Sequence, residues 1–291
     1  MYFFLLVLSI MLDFSLLKKI FLWSRAEAVR AVLDYYKTTW SCIVNFLYFT
    51  NLAHERLVEW TPELPQQKYK DALQEGDFLF ADGIALQLFY RWFADWTSGT
   101  MPENLNGTDL NPLLIEHILQ EHTASMYLYQ CYDPPKGKTV AFLQTGIEAV
   151  EQRFPWLHVH RSDQCLFREK GKEFDWQALE AAVAQDHAEV KIFFNCTWSP
   201  FQECRVKEHE EQLRRCWFLI INAWGTIDYL SGFEKRAPQW VVQARVLETF
   251  RRIMTKPKKN LTKFLKMFGF FRILGKNLLI HVKKLLQLTS R

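Results

Sequence analysis

Apolar and polar positions along this chain change period in blocks, and the blocks alternate between two kinds. In residues 24–36 the apolar side chains Ala28, Val29, Val32, Leu33 and Tyr36 recur at helical spacing. Ser24 with Glu27 three residues on makes a capping box that predicts where this helix starts. Residues 42–48 (CIVNFLY) are a short apolar run of strand type. Residues 67–73 read as helix and 78–81 (FLFA) as strand, ending on Asp82-Gly83, and 84–96 return to a helical pattern. After a turn-rich stretch at 97–107, the pattern predicts a helix over 109–121, a strand over 125–131 and a helix over 138–154. A short strand at 157–160 and a helix at 176–186 follow, then a strand at 190–195, a helix at 201–216 and a strand at 217–223. Strands that alternate with helices in this way predict an α/β fold with a mainly parallel, Rossmann-like sheet flanked by helices. Such sheets bind ligands beyond the carboxyl ends of their strands. Asp82, residues 195–202 and residues 223–228 all fall at predicted ends of that kind.

Charge changes this picture at the C-terminus. The 291 residues carry a net charge of +4, but residues 251–291 hold 12 Lys+Arg and no acid. The preceding 250 residues are left with 24 Lys+Arg against 32 Asp+Glu, a net −8. An acidic body with a basic tail implies an anionic partner for the tail. Residues 258–288 interleave Lys and Arg with Phe, Leu and Ile. Leu261, Phe264, Leu265 and Phe268 lie at helical spacing, with Lys259, Lys263 and Lys266 between them. This reads as an in-plane amphipathic segment on an anionic leaflet, each basic residue contributing on the order of 1 kcal/mol. An ordinary basic helix packed on the body is the competing reading. No stacking platform accompanies the charge, so nucleic acid is not the expected partner.

Composition otherwise fits a globular domain, with 49% hydrophobic and 23% charged residues. The expected organisation is an apolar extension at 1–17, an α/β domain at 18–234 and a basic amphipathic appendage at 235–291. The extension lacks a basic leading segment and an A-x-A-like cleavage site, and Asp13 interrupts it well short of the ~20 residues that span a bilayer. A short anchor, a first strand and an extension ahead of a start at Met11 remain open. The six cysteines form no C-x-x-C pair or zinc-finger spacing and read as reduced thiols. The eight histidines show no catalytic spacing.

Several chemistries are disfavoured outright. The chain has no G-x-G-x-x-G, Walker A, G-x-S-x-G, H-E-x-x-H or D-x-D motif. What stands out is F-A-D-G-I at 80–84, a carboxylate on a strand-to-helix turn whose glycine permits a tight bend. Read locally, Asp82 is as well placed to cap the following helix. Gly107-Thr108-Asp109-Leu110 precedes a helix and reads locally as a capping turn. Ser199-Pro200-Phe201-Gln202-Glu203 opens another, where backbone N–H groups suit a phosphate or sugar hydroxyl, or where Ser caps and Pro takes the first helical position.

The order of these pieces is more specific than any one of them. F-A-D-G-I, N-G-T-D-L, S-P-F-Q-E, W-G-T-I-D-Y-L-S-G and R-A-P-Q-W, in that order, resemble the WecG/TagA/CpsF glycosyltransferases over roughly residues 18–275. The resemblance implies a Rossmann-like domain with a helical C-terminal appendage. It implies transfer of a sugar, N-acetylmannosamine-like or another hexose, from a UDP-sugar to a polyprenyl-diphosphate-linked acceptor. That reaction inverts the anomeric centre, needs no metal or other cofactor, and serves cell-surface polysaccharide synthesis at the cytoplasmic face of the membrane. It makes Asp82 the general base and Gln202 a substrate contact. It also places Asn45 (or Asn51), Gly83, Thr108, Asp109, Asp228 and Arg236 in the binding site. Arg245 and Arg252, seven residues apart and so on one helix face, become partners of the leaving diphosphate. The implied partners are the UDP-sugar, the lipid-linked saccharide and, through 257–291, an anionic membrane; a homo-oligomer is compatible with them.

The chain also departs from that pattern. Asn104 stands where relatives carry Arg, glycines are missing around residues 195–198, and Ala223-Trp224-Gly225 replaces Val-Gly-Gly. These departures motivate a second reading, a catalytically degenerate member that binds a glycan-lipid or a partner protein.

Overall fold

The computed structural model describes residues 13–54, 57, 63–93, 103–132, 140–160, 167–169, 175–223 and 225–230. The apolar stretch 1–12, Arg236, Arg245, Arg252 and the basic tail lie outside the described residues.

The strand-type runs assemble into one parallel sheet. The strands are β1 (Cys42–Tyr48), β2 (Phe78–Asp82), β3 (Ala124–Tyr132), β4 (Leu157–Val159), β5 (Phe167–Glu169), β6 (Val190–Asn195) and β7 (Phe218–Asn222). Their order is β2-β1-β7-β6-β3-β4, with β5 pairing the carboxyl end of β3. Every pairing is parallel. The central strands β1 and β7 are buried almost throughout, as expected of strands covered on both faces.

Helices cover both faces. They are α1 (Ser15–Lys19), α2 (Arg25–Thr39), α3 (Phe49–His54), α4 (Leu64–Glu75), α5 (Ile84–Phe93), α6 (Gly107–Glu121), α7 (Val140–Arg153), α8 (Trp176–Ala184), α9 (Phe201–Glu208), α10 (Glu210–Arg215) and α11 (Thr226–Leu230). Successive side chains of β1 point to opposite faces. Asn45 reaches Ala72 of α4, whereas the ring of Phe46 approaches Gly107 of α6. Helices α4 and α6 therefore lie on opposite sides of the sheet. The larger apolar cluster joins α2, α6, α7 and α8 to the strands, and a second one gathers Leu16, Leu17, Leu47, Leu52, Tyr69, Leu79 and Leu86 beneath α1, α3, α4 and α5. Each such side chain, fully buried, stabilises the fold by about 1.5–3 kcal/mol before chain entropy is counted.

The capping box of α2 forms as its sequence predicts: Ser24 Oγ accepts from Glu27 N–H, and Glu27 Oε2 accepts from Ser24 N–H at 2.8 Å. The single helix expected over 201–216 is instead two. The break is at His209, whose backbone leaves helical geometry (φ −117°) while its ring stacks on Trp176 at 3.9 Å. Helix α1, absent from the expected pattern, is buried through Leu16 and Leu17, and the Lys19 ammonium donates to the Gln74 and Gly76 carbonyls at the end of α4. A cation there meets the negative end of the helix dipole. Nearby, the buried Lys70 ammonium pairs with Asp13 at 2.5 Å.

Candidate active site

The carboxyl edge of the sheet is built from the motif segments. Strand β2 delivers Asp82 at its last position, in register with Tyr48 at the end of β1. The Tyr48 phenol donates to the Asp82 carboxylate. Burial first, then the charge of Asp82 and, in smaller measure, that of Glu203, push this phenol well above the ordinary tyrosine range. Tyr48 therefore lies within the fields of both carboxylates. Gly83 follows at φ +90°, a conformation an L side chain rarely adopts, and a Cβ there would meet open space. Backbone geometry, not crowding, calls for glycine at this turn.

Asn104 fixes the turn from the other side. Its Oδ1 accepts from Gly83 N–H at 2.8 Å, and Leu105 N–H donates to Ala81 O at 3.0 Å. The position where relatives carry Arg thus holds the backbone beside Asp82 here. The next residues form the N-terminus of α6. Asn106 Oδ1 accepts from Asp109 N–H at 2.9 Å and from Thr108 Oγ1 at 2.6 Å. The Asp109 carboxylate accepts from Asn106 Nδ2 at 2.9 Å and pairs with Arg25 at 3.1 Å. Asn106, rather than Asp109, is the cap, and both predicted binding side chains of this segment take part in fixing it. A Cβ on Gly107 would lie 3.2 Å from Thr226 Oγ1 and 3.5 Å from the Phe46 ring, so α6 meets α11 over the end of β1. Asp228 is half-buried on α11.

Below this edge an asparagine chain crosses the three central strands. Asn222 Nδ2 donates to Asn45 Oδ1 at 2.7 Å, and Asn195 Nδ2 donates to Asn222 Oδ1 at 3.0 Å. All three are buried. Asn45 Nδ2 goes on to Ala72 O, and Asn195 Oδ1 accepts from Thr197 N–H and Oγ1. Asn45, expected at the substrate, is here bonded into the protein interior. Asn51 donates to the Tyr69 hydroxyl at 2.9 Å.

Asn195 Nδ2 also reaches Gln202 O at 3.2 Å, tying the sheet to the turn that opens α9. Ser199-Pro200 is a cis peptide, Pro200 takes the cap position of α9, and no side chain caps the helix. The expected Ser cap is thus replaced: Ser199 Oγ donates to Glu203 Oε1 at 2.5 Å. Gln202 Nε2 donates to the same oxygen at 2.8 Å. Gln202 and Glu203 are fully buried. Glu203 borders a narrow crevice with Asn45, Asn222, Ala72, Gly76, Lys207 and Glu210.

Three of the five ordered motifs, with residues 225–230 of the fourth, are therefore assembled at one end of the sheet; the rest of the fourth and the fifth, with Arg236, lie outside the described residues. Tyr48, Asn104, Asn222 and Glu203 were not among the predicted site residues. The pairing of Tyr48 with Asp82 depends on strand register, which no local pattern reveals; Glu203 was visible as the neighbour of Gln202. A parallel α/β sheet with a carboxylate, a positive-φ glycine and amide side chains gathered at its carboxyl edge defines a Rossmann-like protein, a class whose ligands bind at that edge. Sequence comparison narrows this class. A profile described as the glycosyl transferase WecG/TagA/CpsF family matches residues 18–284, and the chain belongs to that family of glycosyltransferases. No curated protein sequence matches it. Among the described residues no helix is long and apolar enough to cross a membrane.

Proposed function

We propose that the protein is an inverting glycosyltransferase that moves a hexose or N-acetylhexosamine from a UDP-sugar to a polyprenyl-diphosphate-linked acceptor, with Asp82 as general base. The observation that carries this reading is the placement of Asp82: the end of a parallel strand, on a glycine turn clamped by Asn104, in a family of glycosyltransferases. An acceptor hydroxyl is a weak nucleophile, and a positioned carboxylate removes its proton as the glycosidic bond forms. The Tyr48 phenol occupies part of the acceptor capacity of Asp82 and orients it. A carboxylate with about four lone-pair sites keeps room for the substrate proton. Gln202 contributes a substrate contact, with Gly83, Thr108, Asp109 and Asp228 around it. Arg236 adds a further substrate contact, and Arg245 and Arg252 meet the negative charge that grows on the leaving UDP, in the bidentate manner guanidinium favours. The reaction proceeds without a metal. The basic segment 257–291 holds the enzyme on the anionic cytoplasmic leaflet, where its lipid-linked acceptor resides.

The test is a donor screen. Several UDP-sugars are incubated with the full chain and a synthetic prenyl-diphosphate acceptor, and product is followed by mass spectrometry. Transfer from one or a few of them, persisting in the presence of a chelator, is the expected result. Binding of UDP without transfer from any donor would favour the degenerate reading.

A further inference from the structure

Two buried oxygens at the opening of α9 lack a hydrogen-bond partner: Gln202 Oε1 and Glu203 Oε2. Both side chains are almost completely excluded from solvent, at 0% and 1% exposure. The other halves of the two groups are bonded to each other. Gln202 Nε2 donates to Glu203 Oε1 at 2.8 Å and to Ser199 Oγ at 3.1 Å, while Ser199 Oγ donates to Glu203 Oε1 at 2.5 Å. The arrangement suits an ionised Glu203, whose Oε1 accepts both bonds and whose Oε2 carries no proton in need of an acceptor. A carboxylate only accepts, so it draws the amide N–H of Gln202 inward and leaves Gln202 Oε1 as the free acceptor. A protonated Glu203 would carry an O–H with two acceptors in reach, Ser199 Oγ and, after a half-turn of the amide, the oxygen of Gln202; only the second also pairs the orphaned amide oxygen. That half-turn brings the N–H₂ toward the position Oε1 had held.

We propose that Glu203 is a positioning residue whose protonation state sets what Gln202 presents to a substrate: an acceptor when Glu203 is ionised, a donor when it is protonated. The inference rests on the reading that Gln202 touches substrate. Both states are populated near neutral pH, because burial raises the Glu203 carboxyl to about 7, against the pull of its Ser199 and Gln202 bonds. Among the described residues the surrounding charges are few. The charge of Glu203 is felt at Tyr48 of β1, whose hydroxyl is bonded to Asp82 and lies within the influence of Tyr69 of α4. Lys207 and Glu210 border the crevice and pair with each other at 2.7 Å. Ala72 and Gly76 of α4 and Asn222 of β7 add no charge there.

The experiment reads the amide directly. The side-chain N–H₂ resonances of Gln202 are identified in the ¹⁵N-labelled full chain by their loss in Gln202→Met. They are then followed from about pH 5 to about pH 9, a range that brackets the expected titration. Wild type should show an inflection near neutral pH, and Glu203→Gln, which keeps a hydrogen-bonding oxygen but cannot ionise, should show none. Ser199→Ala removes a bond that favours the anion and should move the inflection upward; it also serves if Glu203→Gln does not fold. Flat wild-type resonances, the same inflection in Glu203→Gln, or an unmoved one in Ser199→Ala would overturn the proposal. A parallel UDP-sugar titration should vary about tenfold across the inflection in wild type and stay constant in Glu203→Gln. Failure of every form to bind any UDP-sugar would count against the proposed donor, while the amide resonances would still decide the role of Glu203.

Discussion

Asp186 offers a prediction about the end of the sheet opposite the site. Its Oδ2 accepts from three groups: Ser125 Oγ, Tyr127 Oη at 2.8 Å and His160 Nε2 at 3.2 Å. Its Oδ1 accepts from Ala188 N–H at 2.9 Å. The side chain is only 7% exposed. Burial pushes the carboxyl up, but the Ser125, Ala188, Tyr127 and His160 bonds outweigh it, and it is held down at about 2 from an ordinary 3.8. His160 is also lowered, because its own burial outweighs the attraction of Asp186, so the imidazole is held neutral. The signs agree. A carboxyl depressed in the folded state stabilises above its unfolded value and loses that contribution as pH falls from about 4 to about 2. A depressed histidine costs stability as pH falls below its unfolded value of 6.5. At ~1.4 kcal/mol per pH unit the Asp186 displacement is worth about 2 kcal/mol at neutral pH. In Asp186→Asn either Ala188 N–H or the Ser125–Tyr127–His160 group faces an amide N–H₂, adding about 1–3 kcal/mol for an unmatched donor. The expected loss is therefore about 3–5 kcal/mol by urea unfolding at pH 7, with a flatter acid limb below pH 4. A loss under ~0.5 kcal/mol, or an unchanged acid limb, would refute the reasoning.

Three further outcomes follow from other parts of the chain. Ser24→Ala should lower stability by about 1 kcal/mol in thermal or urea unfolding, because it removes one half of the α2 capping box. Gly83→Ala should cost about 1–2 kcal/mol from its φ of +90° and, by displacing Asp82, reduce transfer far more than stability. Removing 257–291 should abolish flotation with anionic liposomes and leave recovery with neutral ones unchanged; equal recovery with and without the segment would remove its membrane role.

The strands were the most legible part of the fold, because parallel strands covered on both faces read as unbroken apolar runs such as 42–48 and 190–195. The positions of Asp82 and of the turn before Gln202 followed from those runs, since each closes a strand or opens the next helix. What stayed hidden depends on contacts between distant segments. The Asn45–Asn222–Asn195 chain exists because three strands align in one register, and Asn45 alone gave no sign that its amide would be bonded inward. The break at His209 coincides with an aromatic partner on α8, outside the window that a helical period samples. Strand β5 is too short, at three residues, to carry a periodic signal.

The central claim is that Asp82 takes the proton of the acceptor hydroxyl. Its most direct test is the rate of sugar transfer by Asp82→Asn, measured with the donor selected in the screen and with folding checked by thermal unfolding. The variant keeps the side-chain size and an oxygen able to accept from Tyr48, so stability and donor binding should change little. General-base assistance is worth about 10²–10⁴-fold, and transfer should fall by that factor. A folded Asp82→Asn protein that transfers sugar within about tenfold of wild type would contradict the assignment.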